Sequence, residues 1–505
     1  MKRVVLALLA IGLASCVSSQ NASNGAFRLV NAVADSARMA LLIDEEVRAS
    51  GFDYATGTSF IALRAGSYGI ALQETLPRVD TNDDGVVDSE DDENIAPVAI
   101  PPALQEIDLE VNGELTYVVA GHHGDEEFMA IEGLTAAVPT GQTRVQLAHA
   151  AVGAPAVDVY LAEEETESVT GLTPFEAGLA YLEDGDARLR LGGGVRMLIT
   201  AAGDDEVLFD SGDFGLALER SLLFVIAPNT NIDVLERPFI VVLVSGGGAT
   251  TLADIRSQGN YRFVNASAGA YAIDAFVTAV VEETEGDTRQ AVCPVVGNED
   301  FLASYCAMPY EFIGTMTAIE PSTYRVKVQI AGASTLKVKN FAGTFPRAGQ
   351  STLVLNERPP TDATVSDVEL DTFTTTRRVA PIGQLRIVTF SEGLDATTTG
   401  DPTTDRVDIF ITEDPDDPLD ETARFRLPAR RYGADSGYIQ MLPGIYQLTI
   451  AKVDPADEDD VPVPLYTDEL RIEGSGVYTL LYNDTVPGTL PLRVLSLEDS
   501  TEPPP

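Results

Sequence analysis

The chain has 505 residues, a length that at about 100–200 residues per domain predicts several cores rather than one. Hydrophobic residues make up 45% and mean hydropathy is +0.05, which excludes wholesale disorder and a polytopic membrane protein. Thirty-three Lys and Arg stand against 78 Asp and Glu, a formal net charge of −45, so nucleic acid and anionic lipid surfaces are poor partners and cations are better ones.

Met1-Lys2-Arg3 precedes the apolar run from Val4 to Leu13, too short to span a bilayer as a mature helix, so residues 1–15 read as an export signal. The run ends Leu13-Ala14-Ser15-Cys16, which resembles the lipobox of bacterial lipoproteins. That resemblance implies that Cys16 is acylated and becomes the first mature residue; an ordinary signal peptide with an incidental cysteine is the alternative. In that family Asp after the cysteine goes with inner-membrane retention, so Val17 implies the outer membrane, its periplasmic or surface face left open. Residues 16–26 are small and polar, as a flexible tether to the membrane would be.

Four segments then open alike: Phe27-Arg28-Leu29-Val30-Asn31-Ala32, Thr143-Arg144-Val145-Gln146-Leu147-Ala148-His149-Ala150, Tyr261-Arg262-Phe263-Val264-Asn265-Ala266 and Gln384-Leu385-Arg386-Ile387-Val388-Thr389. Taking Asn31, His149, Asn265 and Thr389 as equivalent, the copies are spaced by 118, 116 and 124 residues. An alternating strand follows each opening, at Met39–Ile43, Val157–Leu161, Ile273–Val277 and Val407–Ile411. A turn running into a strand comes next, with a recurring tyrosine at Tyr68, Tyr324 and Tyr446 that the weaker second copy, Gly193 to Ile199, lacks. Later strands are predicted at Leu115–Ala120, Ser221–Ala227, Ser351–Leu355 and Val477–Tyr482. Short β-rich runs between Gly, Pro, Asp and Asn turns, with almost no helical periodicity, predict an all-β chain of four tandem antiparallel β-sandwiches. The expected bounds are 27–136, 142–244, 259–375 and 383–497, with a disordered tail at 498–505.

The second copy, His149 to Tyr160, reads His-Ala-Ala-Val-Gly-Ala-Pro-Ala-Val-Asp-Val-Tyr. It resembles a bacterial domain-of-unknown-function family with the signature His-Ala-Ser-Pro-Asp-Ala-Pro-Ala-Val-Asp-Val-Tyr, partially matched in the other copies. The resemblance implies Ig-like or transthyretin-like sandwiches in an exported, often surface-attached protein, and carries no activity.

In the first copy, Asp80, Asn82, Asp84, Asp88 and Asp91 occupy positions 1, 3, 5, 9 and 12 of a loop with Gly85 at the turn, and Val86 offers a backbone carbonyl. The pattern resembles an EF-hand or dockerin-type loop and implies Ca²⁺, although flanking helices are not expected; a solvated acidic hairpin tip is the alternative. Cys293 and Cys306, with twelve residues between them in an exported chain, predict a disulfide of about 3 kcal/mol, with two free thiols as the alternative. Only three histidines are present. His149, where other copies carry Asn or Thr, is expected to hydrogen-bond backbone, and His122-His123 to lie in an exposed loop that can join a surface metal site. No nucleophile elbow, zinc-protease motif or phosphate loop occurs. The expected function is a non-enzymatic, outer-membrane-anchored lipoprotein presenting tandem sandwiches as a stalk for binding or adhesion to a protein or glycan ligand. An envelope hydrolase or glycan-binding protein using loops of the first copy is the alternative.

Overall fold

The computed structural model describes residues 24–74, 105–133, 136–230, 236–267, 272–279, 301–331, 339–358, 367–391, 406–413, 418–419, 423, 425–430, 433–453, 461–484 and 492–498. Strands dominate them, and no helix among them is long and apolar enough to cross a membrane. Cys16, the calcium-type residues Asp80, Asn82, Asp84, Val86, Asp88 and Asp91, and Cys293 lie outside the described residues.

One eight-strand plan is used four times. The first sandwich holds β1 (Asn24–Asn31), β2 (Met39–Ile43), β3 (Glu46–Phe52), β4 (Ile61–Arg64), β5 (Gly66–Glu74), β6 (Gln105–Leu109), β7 (Glu114–His122) and β8 (Asp125–Gly133). Its sheets run β4-β1-β7-β8 and β3-β2-β5-β6. The second holds β9 (Gln142–His149), β10 (Val157–Ala162), β11 (Glu176–Leu179), β12 (Arg188–Leu191), β13 (Gly193–Ala201), β14 (Val207–Leu216), β15 (Ser221–Pro228), β16 (Phe239–Ser245) and β17 (Gly248–Leu252). The third holds β18 (Gly259–Asn265), β19 (Ile273–Ala279), β20 (Phe301–Met308), β21 (Thr317–Ile319), β22 (Ser322–Ile330), β23 (Lys339–Phe345), β24 (Gln350–Arg358) and β25 (Asp367–Thr374). The fourth holds β26 (Gly383–Phe390), β27 (Arg406–Thr412), β28 (Phe425–Arg430), β29 (Ala434–Met441), β30 (Gly444–Val453), β31 (Val463–Ile472), β32 (Val477–Asp484) and β33 (Leu492–Glu498). In every sandwich the fourth, first, seventh and eighth strands form one sheet and the third, second, fifth and sixth the other, with β17 added to the edge of the second sandwich.

The sandwiches are antiparallel-rich, as expected, with one parallel pair in each, between its first and seventh strands: β1 with β7, β9 with β15, β18 with β24 and β26 with β32. A parallel pair requires a long crossover, and here the whole opposite sheet supplies it. The first two strands of each sandwich also lie in opposite sheets, whereas the immunoglobulin order puts them in one. The second sandwich extends past the expected bound at 244, because Gly246-Gly247-Gly248 turns β16 back onto β17.

The shared residues explain why one plan recurs. On each opening strand the residues beside the recurring arginine face the sandwich core, as Phe27 and Leu29 do in the first and Leu385 and Ile387 in the fourth. The arginine faces out. In the first and third sandwiches it meets a hydroxyl on the parallel seventh strand, Arg28 Nε donating to Thr116 Oγ1 at 2.8 Å and Arg262 Nε to Thr352 Oγ1 at 3.1 Å; in the second, Gln146 takes that place and Arg144, two residues earlier on the same face, donates from Nη1 to Ser221 Oγ at 3.2 Å. The recurring tyrosines each donate to a carbonyl four residues upstream, Tyr68 to Arg64, Tyr324 to Glu320 and Tyr446 to Leu442, at 2.7–2.8 Å. They pin the turn that starts the fifth strand.

Outer faces are apolar as well, and this sets the arrangement of the sandwiches. Val30, Val118 and Ile131 of the first pack with Ala148, Leu223, Val225 and Val242 of the second in one buried cluster. Arg28 Nη1 crosses that junction to the Ser245 carbonyl at 2.9 Å, and the Tyr54 hydroxyl donates to the Pro228 carbonyl. The third and fourth sandwiches join through the equivalent positions Val264, Val354, Val388 and Leu481. The segment between them returns to the first sandwich, where Arg377 donates to the carbonyls of Ala34 (2.9 Å) and Ser36 (2.8 Å) and pairs with Asp53, and Ala380 N donates to Asp35 O at 2.8 Å.

Candidate functional site

The residues singled out in the sequence fall into two groups. His149 is fully buried at the end of β9; its Nδ1 accepts from Ala151 N at 3.2 Å and its Nε2 lies 3.0 Å from the Pro155 carbonyl. That geometry fixes the neutral tautomer with the proton on Nε2, and burial lowers its pKa. Asn31 and Asn265 do the same work: Asn31 Oδ1 accepts from Val33 N at 2.9 Å, and Asn265 Oδ1 from Ser267 N at 3.0 Å while its amide donates to Met308 O at 2.9 Å. The recurring aspartate of the second strand also ties backbone. Asp158 accepts from Gly178 N (2.7 Å) and Gly203 N (2.9 Å), and Asp274 from Ala307 N at 2.7 Å.

The second group is the β7–β8 hairpin. Its turn is tight: Gly121 has φ +100°, and a Cβ there would fall 2.4 Å from the Asp125 carbonyl oxygen, so only glycine fits. The turn sends the two histidines apart. His122 is half exposed, its Nδ1 3.8 Å from Asp35 Oδ2, while His123 turns inward and its Nδ1 lies 2.9 Å from Glu74 Oε1 and 3.9 Å from Glu126 Oε1. Glu74 ends β5, Glu126 sits in β8 and His123 lies in the turn after β7, so separate elements deliver the cluster. One ligand atom from each of Glu74, His123 and Glu126 lies within 4.8 Å of the other two.

The cluster is held from behind. Ala37 N donates to Glu74 Oε1 at 3.1 Å, Gly124 N to Glu126 Oε1 at 3.0 Å, and His123 N to Asp35 Oδ1 at 2.9 Å. Both glutamate side chains are at least 99% buried, and the second oxygen of each, Glu74 Oε2 and Glu126 Oε2, has no hydrogen-bond partner. The hydrogen bond to Glu74 raises the His123 pKa against the opposing effect of burial, and burial raises that of Glu126. His123, about a quarter exposed, is the open side of the cluster.

Of the two cysteines expected to pair, Cys306 in β20 is described and is disulfide-bonded. Glu74 and Asp35 were not foreseen. Neither stands in a motif, and Glu74 is 49 residues from His123.

No curated protein is significantly similar to the chain. Among solved structures the major pilin subunit of Bacillus cereus has 9% identity over 67% of this chain and 98% of that one, with a TM-score of 0.12, too low to carry an argument. Residues 25–160, which take in the first sandwich and β9 and most of β10 of the second, match the model of a family described as a domain of unknown function, DUF4397.

Proposed function

We propose that the protein is a non-enzymatic lipoprotein, held at the outer membrane by acylated Cys16, that carries four copies of one sandwich module as a stalk for a protein or glycan ligand. The observation that carries this reading is the use of the repeated polar residues. Asn31, His149 and Asn265, the tyrosines Tyr68, Tyr324 and Tyr446, and Asp158 and Asp274 all hold backbone within their own sandwich, as parts of a scaffold do. A net charge of −45 further favours a role exposed to aqueous cations over one on an anionic surface. Face-to-face packing of neighbouring sandwiches supports a stalk of two stiff paired blocks over a string of independent beads.

In this reading Cys293 bridges Cys306, and Ca²⁺ bound at Asp80, Asn82, Asp84, Val86, Asp88 and Asp91 stiffens the insertion that follows β5. Asp84→Ala is expected to abolish Ca²⁺-dependent thermal stabilisation of the chain; an unchanged Ca²⁺ shift in the variant contradicts the assignment. The anchor is tested by cell fractionation. Cys16→Ala is expected to move the protein out of the membrane fraction, and membrane retention of the variant contradicts it.

A further inference from the structure

We propose that Glu74, His123 and Glu126 form a binding site for a divalent first-row transition-metal cation, with zinc as its type. Two carboxylates are buried side by side, at 3% and 5% residue exposure, and each keeps one oxygen without any partner. A buried polar atom left unpaired is costly, and two anionic groups facing a single imidazole leave charge uncompensated. A divalent cation resolves both: it satisfies the free oxygens and cancels two carboxylate charges at once.

The donor set selects the metal. Imidazole nitrogen with two carboxylates suits zinc and its neighbours, while Ca²⁺ takes six to eight oxygens and has no use for the histidine. The site therefore differs in kind from the acidic loop at 80–91, which offers oxygen alone. The supports behind the three side chains match what metal ligands need. Each glutamate is oriented by a backbone N–H on its other oxygen, and the His123 backbone is tied to Asp35. Three protein ligands leave a fourth position for water on the open side at His123.

Its place in the fold gives the metal a mechanical consequence. Asp35 and Ala37, which hold His123 and Glu74, belong to the same β1–β2 connection that receives Arg377 and Ala380 from the segment between the third and fourth sandwiches. Occupancy would clip β5, the β7–β8 hairpin and that connection together beneath the docked segment.

The test is calorimetric titration of the full-length, chelator-stripped protein with Zn²⁺ in millimolar Ca²⁺, which occupies the oxygen-only sites. One saturable equivalent is expected, weakened at least about tenfold in both His123→Asn and Glu126→Gln and unchanged in Asp84→Ala. Circular dichroism of the metal-free variants confirms that they fold, and X-ray absorption at the zinc edge of the wild-type 1:1 complex gives the ligands without any mutation. A shell with one imidazole supports the proposal. An all-oxygen shell, no saturable equivalent above Ca²⁺, or an equivalent indifferent to both substitutions overturns it.

Discussion

His149 is the residue at which a sequence reading most easily goes astray, since histidine invites a catalytic or metal role. Its neighbours decide otherwise: both ring nitrogens face backbone groups, and asparagine does the equivalent job at 31 and 265. The equivalence was legible from the repeat alone, because a position that accepts His, Asn and Thr needs a hydrogen-bonding side chain rather than a titrating one. Burial also makes a pH prediction. With the folded pKa lowered and the unfolded value near 6.5, the unfolded chain takes up a proton first as pH falls, so His149 contributes a loss of stability below about pH 6.5 and none above it. His149→Asn is expected to lose that component, read as the difference between variant and wild-type melting temperatures from pH 7 to 5.5; parallel curves would contradict it. His149→Ala should instead cost about 1–3 kcal/mol at neutral pH, because the Ala151 N–H and the Pro155 carbonyl lose their partner.

At the scale of strands, period-two alternation and repetition located the first, second, fifth and seventh strands of every sandwich, while the partners and direction of those strands stayed hidden. The parallel pairing of β1 with β7 joins segments some 88 residues apart, and nothing local to either encodes it. The inter-sandwich faces did leave a signal. Leu222 to Ala227 is an unbroken apolar run, as a strand buried on both faces should be, with Leu222, Phe224 and Ile226 facing the core and Leu223, Val225 and Ala227 facing the first sandwich. The metal-type cluster was half visible for the same reason: His123 and Glu126 share a hairpin, but Glu74 joins them only through sheet packing. Val225→Asp would put a carboxylate into the junction while sparing the core, at a cost of at least about 3 kcal/mol. We expect calorimetry to show the first two sandwiches melting as one unit in the wild type and separately in the variant. An unchanged profile would mean that the junction contributes no coupling.

For the whole molecule, the repeat, the pairing of neighbours and the return of Arg377 to the first sandwich describe a chain organised around its own scaffold. Equivalent outer positions serve both junctions, Val30 with Ala148 in one and Val264 with Val388 in the other, so the four copies form two alike pairs rather than a string of free modules. The proposed function as a stalk rests on an anchor, the lipid proposed on Cys16. Mass spectrometry of the N-terminal peptide of protein extracted from membranes tests it most directly. The expected product is a mature chain that begins at Cys16 and carries diacylglycerol on the sulfur and an acyl chain on the amine; a chain that begins elsewhere, or at an unmodified Cys16, would contradict the proposed anchor.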